Sequence, residues 1–318
     1  MPVELLNDTI VASSHAMASI VNIRVPRAGA PEARIDALLS RALRVFHDVE
    51  VACTRFNSSS PLMRTNESPA RWHRVPAVLY RALHEAYLAY ERTGGVFDPR
   101  VIDALVALGY DASLSFEGPD VCVDAGQAPA PRRSPWRPRF RAHKCDVWIE
   151  DAVDLGGIGK GLAVRWASEV LAPRLRDYLI EAGGDCYLAG RAPDGEPWRV
   201  GVEDPWDATS PVAVLALSDR AVATSSIRLR HWRAGERPVH HLIDPRTGAS
   251  GGDGLVAVTV VGADTADAEV ASKVLFLCGA EGIAAAAAAS ETPALWCDVD
   301  GRLVINEAMR PFVIWERA

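Results

Sequence analysis

Between Val153 and Val164 the chain reads VDLGGIGKGLAV, an acidic side chain, four glycines and a lysine between two apolar flanks. These residue types suit an anion. Glycines at 156, 157, 159 and 161 let a ligand approach the main chain closely. The alanine-rich run from Leu162 to Leu171 predicts a helix, whose N-terminus would offer free N–H groups and a positive dipole end, and Lys160 would add a full charge there. The spacing matches neither G-x-G-x-x-G nor G-x-x-x-x-G-K-[ST], so no nucleotide fingerprint is met and packing alone also accounts for the glycines. The lysine count weighs toward function: the chain has 31 arginines but three lysines, Lys144, Lys160 and Lys273.

A second polar constellation is HHLIDPRTG, from His240 to Gly248, in which Pro245 and Gly248 specify a tight turn and hold His241 and Asp244 on a fixed backbone. Thr224-Ser225-Ser226 precedes it. In VFDPRVIDAL, Pro99 forces Asp98 toward extended geometry, so Asp98 by itself reads as a turn residue or helix cap.

Around these motifs the periodicity predicts strands at Ser19–Val25, Tyr178–Leu188 (broken by a glycine turn), Trp198–Val202, Val212–Leu217, Ala221–Ala223 and Leu255–Val261. Helices are expected over Ile35–Ala52, Ala77–Thr93 and Thr265–Cys278 and around the alanine run at 284–289, with Ser60 capping a short one near Leu62. VWIEDAVDL reads as strand, and ALWCDVDGRLVIN as a hairpin turning at Asp300-Gly301. Residues 119–141, rich in proline and arginine, read as an exposed loop inserted in a single domain over 1–318. Strands in runs with grouped helices argue for an α+β class, mixed or antiparallel sheets with helices packed on them.

A net charge of −7 describes an acidic protein with no basic field for nucleic acid. The N-terminus lacks signal-peptide character and no apolar run is long enough for a membrane span, so a cytoplasmic location is expected. Six scattered cysteines without C-x-x-C spacing suggest neither a zinc site nor a disulfide framework.

Taken in order, Met17-Ala18-Ser19, R-F-x-x-x-S with Asn66, Gly95-Val96-Phe97-Asp98-Pro99, DLGGIGKG, A-G-G-D at 182–185, Pro197-Trp198, A-T-S and H-x-I-D-P-R-T-G resemble the FAD:protein FMN transferase, or ApbE, family over roughly residues 15–280. The resemblance implies the ApbE-like fold and an activity: FAD is split and its FMN half passes to a threonine or serine of an acceptor flavoprotein, with AMP released and magnesium assisting. It also implies roles. Met17, Phe56, Val96, Phe97 and Asp98 would contact the flavin nucleotide, as would Asp154, Gly156 and Lys160 from the central loop. The Gly157 carbonyl would reach the metal, and His241 and Asp244 would sit by the reacting phosphate with Thr224, Ser225 and Ile243 nearby. His241, Asp244 and Lys160 are thus the expected catalytic set.

One element departs from the family. Its metal-binding helix carries A-D-x-x-x-T, and that pair falls here on Glu269 and Lys273, or, with a two-residue shift, on Asp267 and Ala271. In the first register Lys273 takes the threonine's place, where its ammonium would repel a divalent cation and itself neutralise the pyrophosphate. The competing reading is an ordinary surface pair one helical turn apart. Loss of the threonine leaves a second function open, an FAD-binding protein of the same fold acting as carrier, sensor or slow hydrolase.

Overall fold

The computed structural model describes residues 3–6, 8–28, 35–111, 122–123, 134–207 and 209–317. Its frame is a nine-stranded sheet whose strands lie side by side in the order the chain makes them. They are β1 (Val3–Leu6), β2 (Thr9–Ala16), β3 (Ser19–Pro26), β4 (Tyr178–Ala182), β5 (Asp185–Ala189), β6 (Arg220–Ser226), β7 (Leu255–Gly262), β8 (Ala294–Asp298) and β9 (Leu303–Ile305). Each neighbouring pair is antiparallel. The helices are inserted between consecutive strands of this meander, and a last strand, Val313–Glu316, follows it.

Between β3 and β4 come α1 (Ile35–Cys53), α2 (Pro61–Asn66), α3 (Ala77–Arg92), α4 (Ile102–Ala107) and α5 (Gly159–Leu171). Between β7 and β8 come α6 (Thr265–Leu277) and α7 (Gly279–Ala289). In α1, Leu39, Ala42, Leu43, Phe46 and Val49 recur at helical spacing, and this face is buried with Leu162 and Ala163 of α5 and Ile23 and Ile180 of the sheet. Alternation along β6 sends Ala221 and Ala223 toward α6 and Val222 to the opposite face. There Val222 and Val261 meet Val212 and Leu215 of a three-stranded sheet formed by Trp198–Glu203, Pro211–Leu217 and Val313–Glu316. The sheet therefore carries helices on one face and a second sheet on the other, an α+β arrangement of the expected class.

Local signals hold where they are strong. Ser60 caps α2, its Oγ accepting the Met63 N–H at 3.1 Å. Residue Thr93 closes α3 ahead of Gly94 and Gly95, both at positive φ. Three expectations change. Helix α5 starts at Gly159, before the alanine run, which puts Lys160 in its first turn. In VWIEDAVDL only Val147 and Trp148 belong to a strand, Asp146–Trp148; the residues after it are irregular and fastened by side chains. Of the expected loop at 119–141, residues 119–121 and 124–133 lie outside the described residues. Within the remainder Trp136 is 1% exposed, with Tyr87 and Tyr90 edge-on at 5.8 Å, and Arg139–Arg141 is a strand, while Ser134, Pro135 and Arg137 are exposed. Two aromatic anchors, Trp136 and Phe140, overrule the loop-like composition.

One glycine fixes the crossing of the two helices that matter most. A Cβ at Gly161 would lie 2.6 Å from Ala266 Cα and 2.7 Å from the Thr265 carbonyl, so α5 and α6 meet backbone to backbone there.

Candidate functional site

At that crossing four charges alternate, two buried carboxylates and two half-buried lysines. Asp185, at the start of β5 and fully buried, pairs with the Lys160 ammonium. Lys160 also lies 3.6 Å from Glu269 Oε1, and Lys273 Nζ lies 3.3 Å from the same oxygen. The other oxygen, Oε2, accepts the Gly161 N–H at 2.8 Å. Glu269 is 1% exposed, so the reading of Glu269 and Lys273 as a surface pair is set aside. Burial opposes the charge of Glu269, but Lys273, Lys160 and the Gly161 N–H outweigh it and hold its carboxyl below the ordinary value. Burial likewise opposes the charge of Lys160, and Asp185 and Glu269 nevertheless raise its pKa above the usual lysine value. Burial pushes the Asp185 carboxyl up, against the pull of Lys160.

Three amides at the start of α5 are engaged within the protein. The Ile158 and Gly159 amides reach the Leu155 carbonyl, and the Gly161 amide meets Glu269, whose charge also suits the positive end of the helix. The expectation of a helix N-terminus open to phosphate gives way to one capped by a carboxylate from α6, beside which the lysine side chains carry the positive charge.

The loop before α5 is pinned residue by residue. Asn66 bonds both backbone groups of Val153, donating to its carbonyl at 2.8 Å and accepting its N–H at 3.0 Å. The Asp154 amide donates to the Pro99 carbonyl at 2.7 Å, while its carboxylate accepts the Gly156 N–H at 2.6 Å and pairs with Arg55 Nε at 2.9 Å. Arg55 in turn lies over the Phe56 and Tyr110 rings, and its buried Nη2 has no hydrogen-bond partner among the described residues. Phe56 is 46% exposed beside it, its ring centroid 5.6 Å from that of Tyr110. Phe97 is buried against Gly157, and Met17 reaches Gly159.

His241 stands near this cluster. Burial, then the positive charges of Arg230 and Lys273, hold its imidazole well below the ordinary histidine value, so it is neutral at pH 7. Its Nδ1 lies 3.3 Å from the Arg230 carbonyl. A carbonyl only accepts, so Nδ1 carries the hydrogen and Nε2 keeps its lone pair, the arrangement of a general base. Its neighbour His240, pushed down to about 4 by burial, packs its ring edge-on against Phe276.

The two Asp-Pro turns face each other across a cleft of about 170 Å³ lined by Asp98, Arg100, Pro245 and Arg246. Each acid is engaged within its own turn: Arg100 binds both oxygens of Asp98, and Arg246 both oxygens of Asp244. Other expected residues serve the scaffold. The Ser225 hydroxyl bonds Ser272 at 2.8 Å and that of Thr224 bonds Thr259 at 2.9 Å. Ile243 packs in the core beside Trp232. Asp267 is on the surface, tied to Arg92 at 2.6 Å and Arg165 at 3.3 Å, away from Lys160 and Glu269. Among the described residues no three of His, Cys, Asp or Glu gather closely enough to hold a metal. Sequence reasoning missed Asp185, Arg55 and Arg230. The first two lie in quoted motifs, A-G-G-D and R-F-x-x-x-S, where an acid after a glycine turn and an arginine beside an aromatic were the available signals.

The ApbE family profile matches residues 17–296. The chain is similar to the FAD:protein FMN transferases of Vibrio cholerae, 32% identical over 145 residues that span 45% of this chain and 43% of that protein, and of Klebsiella pneumoniae, 25% identical over 86% of each. Among solved structures it is similar to the ApbE protein of Thermotoga maritima (22% identity, TM-score 0.80, 98% of this chain and 100% of that one). The flavin transferase ApbE of Vibrio cholerae aligns with TM-score 0.75 at 24% identity, over 98% of this chain and 100% of that one.

Proposed function

Because this chain belongs to the ApbE family, we propose that it is an FAD:protein FMN transferase, moving the FMN half of FAD to a threonine or serine hydroxyl of an acceptor flavoprotein and releasing AMP. One observation carries the reading: a half-buried, charged lysine, Lys160, held between two carboxylates near a neutral histidine whose Nδ1 faces the Arg230 carbonyl. The reaction needs those two kinds of group. The acceptor oxygen bonds to the phosphorus of the FMN unit, the bond from that phosphorus to the bridging oxygen breaks, and AMP leaves with the electron pair. His241 Nε2 takes the hydroxyl proton. Charge spreads over the phosphate oxygens as this happens, and Lys160 and Lys273 sit ready to offset it. Arg55 and Phe56, fixed by Asp154, offer a guanidinium and an aromatic face for the flavin side.

Magnesium is the metal implied by the family, and the residues here do not fit it. Both Glu269 oxygens are already used, by Gly161, Lys160 and Lys273, and Asp267 is engaged at the surface. No step above passes through a metal.

The contributing residues run from Met17 to Lys273, which supports one catalytic domain over the chain. No helix among the described residues is long and apolar enough to cross a membrane, and the charge of −7 suits a cytoplasmic protein with no nucleic-acid partner. The test is to incubate purified chain with FAD and a candidate acceptor and measure AMP release and covalent flavin on the acceptor. FAD should also bind at least tenfold more tightly than riboflavin, because much of the site addresses phosphate. Equal affinities, or FAD binding with no AMP release, would overturn the reading.

A further inference from the structure

Lys273 sits where the family resemblance assigns half of a metal site. Its stem runs past Gly157, where an added Cβ would lie 3.4 Å from Lys273 Cε and 3.1 Å from Phe97 Cε2. Glycine and phenylalanine thus form a slot for the lysine. An ammonium has three donors. This one gives one of them to Glu269, at 3.3 Å, and the side chain is 18% exposed, so donors remain for an incoming anion.

A divalent ion reaching Glu269 would have to displace two ammonium groups from Oε1 and a backbone N–H from Oε2. Against like charge at that range it has no second carboxylate to recruit, since Asp185 is taken by Lys160 and Asp267 by Arg92. Summed over the cluster, Lys160, Lys273 and the nearby Arg230 exceed Asp185 and Glu269 by one positive charge while His241 is neutral. The site thus holds positive charge to spare for a dianionic pyrophosphate.

We propose that the Lys273 ammonium is the built-in counter-cation of the FAD pyrophosphate, and that this chain binds and cleaves FAD without a divalent metal. The proposal rests on the transferase reading, which makes FAD the ligand. The bonds formed and broken are those given above and nothing is oxidised or reduced. Lys273 keeps its proton throughout, so exchanging a metal ion for an ammonium changes only how charge is neutralised.

The experiment is calorimetric titration of FAD into the whole chain in EDTA and in magnesium, with AMP release measured in both buffers. In the wild type the two dissociation constants agree within about twofold and AMP is released in EDTA. Lys273→Gln weakens FAD binding in EDTA at least tenfold, whereas Lys273→Arg, which keeps the charge, stays within about fivefold of the wild type. Lys273→Thr regains affinity only on adding magnesium. FAD binding at least tenfold weaker in EDTA than in magnesium for the wild type overturns the proposal and leaves the transferase reading standing. No FAD binding in either buffer overturns both. The wild-type comparison needs no variant, so a Lys273 variant that fails to fold leaves the test intact.

Discussion

Replacing Glu269 by glutamine removes one charge from the α5–α6 crossing and little volume. The carboxylate is 1% exposed and meets the Gly161 N–H at 2.8 Å, Lys273 at 3.3 Å and Lys160 at 3.6 Å. Removing one partner of a buried pair costs about 3–5 kcal/mol. The glutamine oxygen still accepts from Gly161, Lys160 keeps Asp185, and Lys273 reaches solvent, so we place Glu269→Gln below that range, at about 2–3 kcal/mol. The sign with pH follows from the direction of the shift. A carboxyl held below its unfolded value of 4.5 contributes fully above pH 4.5, and the contribution fades as pH falls through the folded value. Urea unfolding followed by tryptophan fluorescence should show the full wild-type-to-variant gap at pH 7, a smaller gap at pH 3, and little change at pH 7 in added salt, because the pair is buried. A gap below about 1 kcal/mol at pH 7, or one unchanged at pH 3, refutes the alternating-charge account.

His241→Ala should lower AMP release by about two to four orders of magnitude and leave FAD affinity within a few fold, because the proton transfer belongs to the transition state; undiminished turnover returns His241 to a structural role. Since the His241 imidazole is held well below the ordinary 6.5, the wild-type rate should stay level as pH drops through 6.5, and a half-loss there in a pH–rate profile contradicts the assignment. Gly161→Ala forces a Cβ to within 2.6 Å of Ala266 Cα and should destabilise by about 1–3 kcal/mol or more, read as a lower urea midpoint. An unshifted midpoint denies the tight α5–α6 contact.

Helices and strands with strong periodicity were legible in the sequence, as were their stops at Ser60 and at Gly94-Gly95, because local chemistry decides them. The strand Thr9–Ala16, TIVASSHA, was missed: its burial comes from neighbours on both sides and its own alternation is weak. The site motifs were also legible as motifs. Their internal wiring was not, since nothing in a linear pattern tells that Arg100 consumes Asp98, that Arg246 consumes Asp244, or that Asp185 rather than a ligand faces Lys160. Those partners are set by tertiary approach, as is the choice of Glu269 over Asp267, which only the facing direction of α6 settles.

The fastening of Val153–Gly159 by Asn66, Pro99, Arg55 and its own turn bonds has a thermodynamic and dynamic meaning. Fixing one residue's backbone costs about 1–2 kcal/mol, and here folding has already met that cost before any nucleotide arrives. Ligand association then has little chain to order, so its entropy term stays small. The bonded amides of Val153, Asp154, Gly156, Ile158 and Gly159 should take up deuterium slowly, at rates that FAD hardly alters.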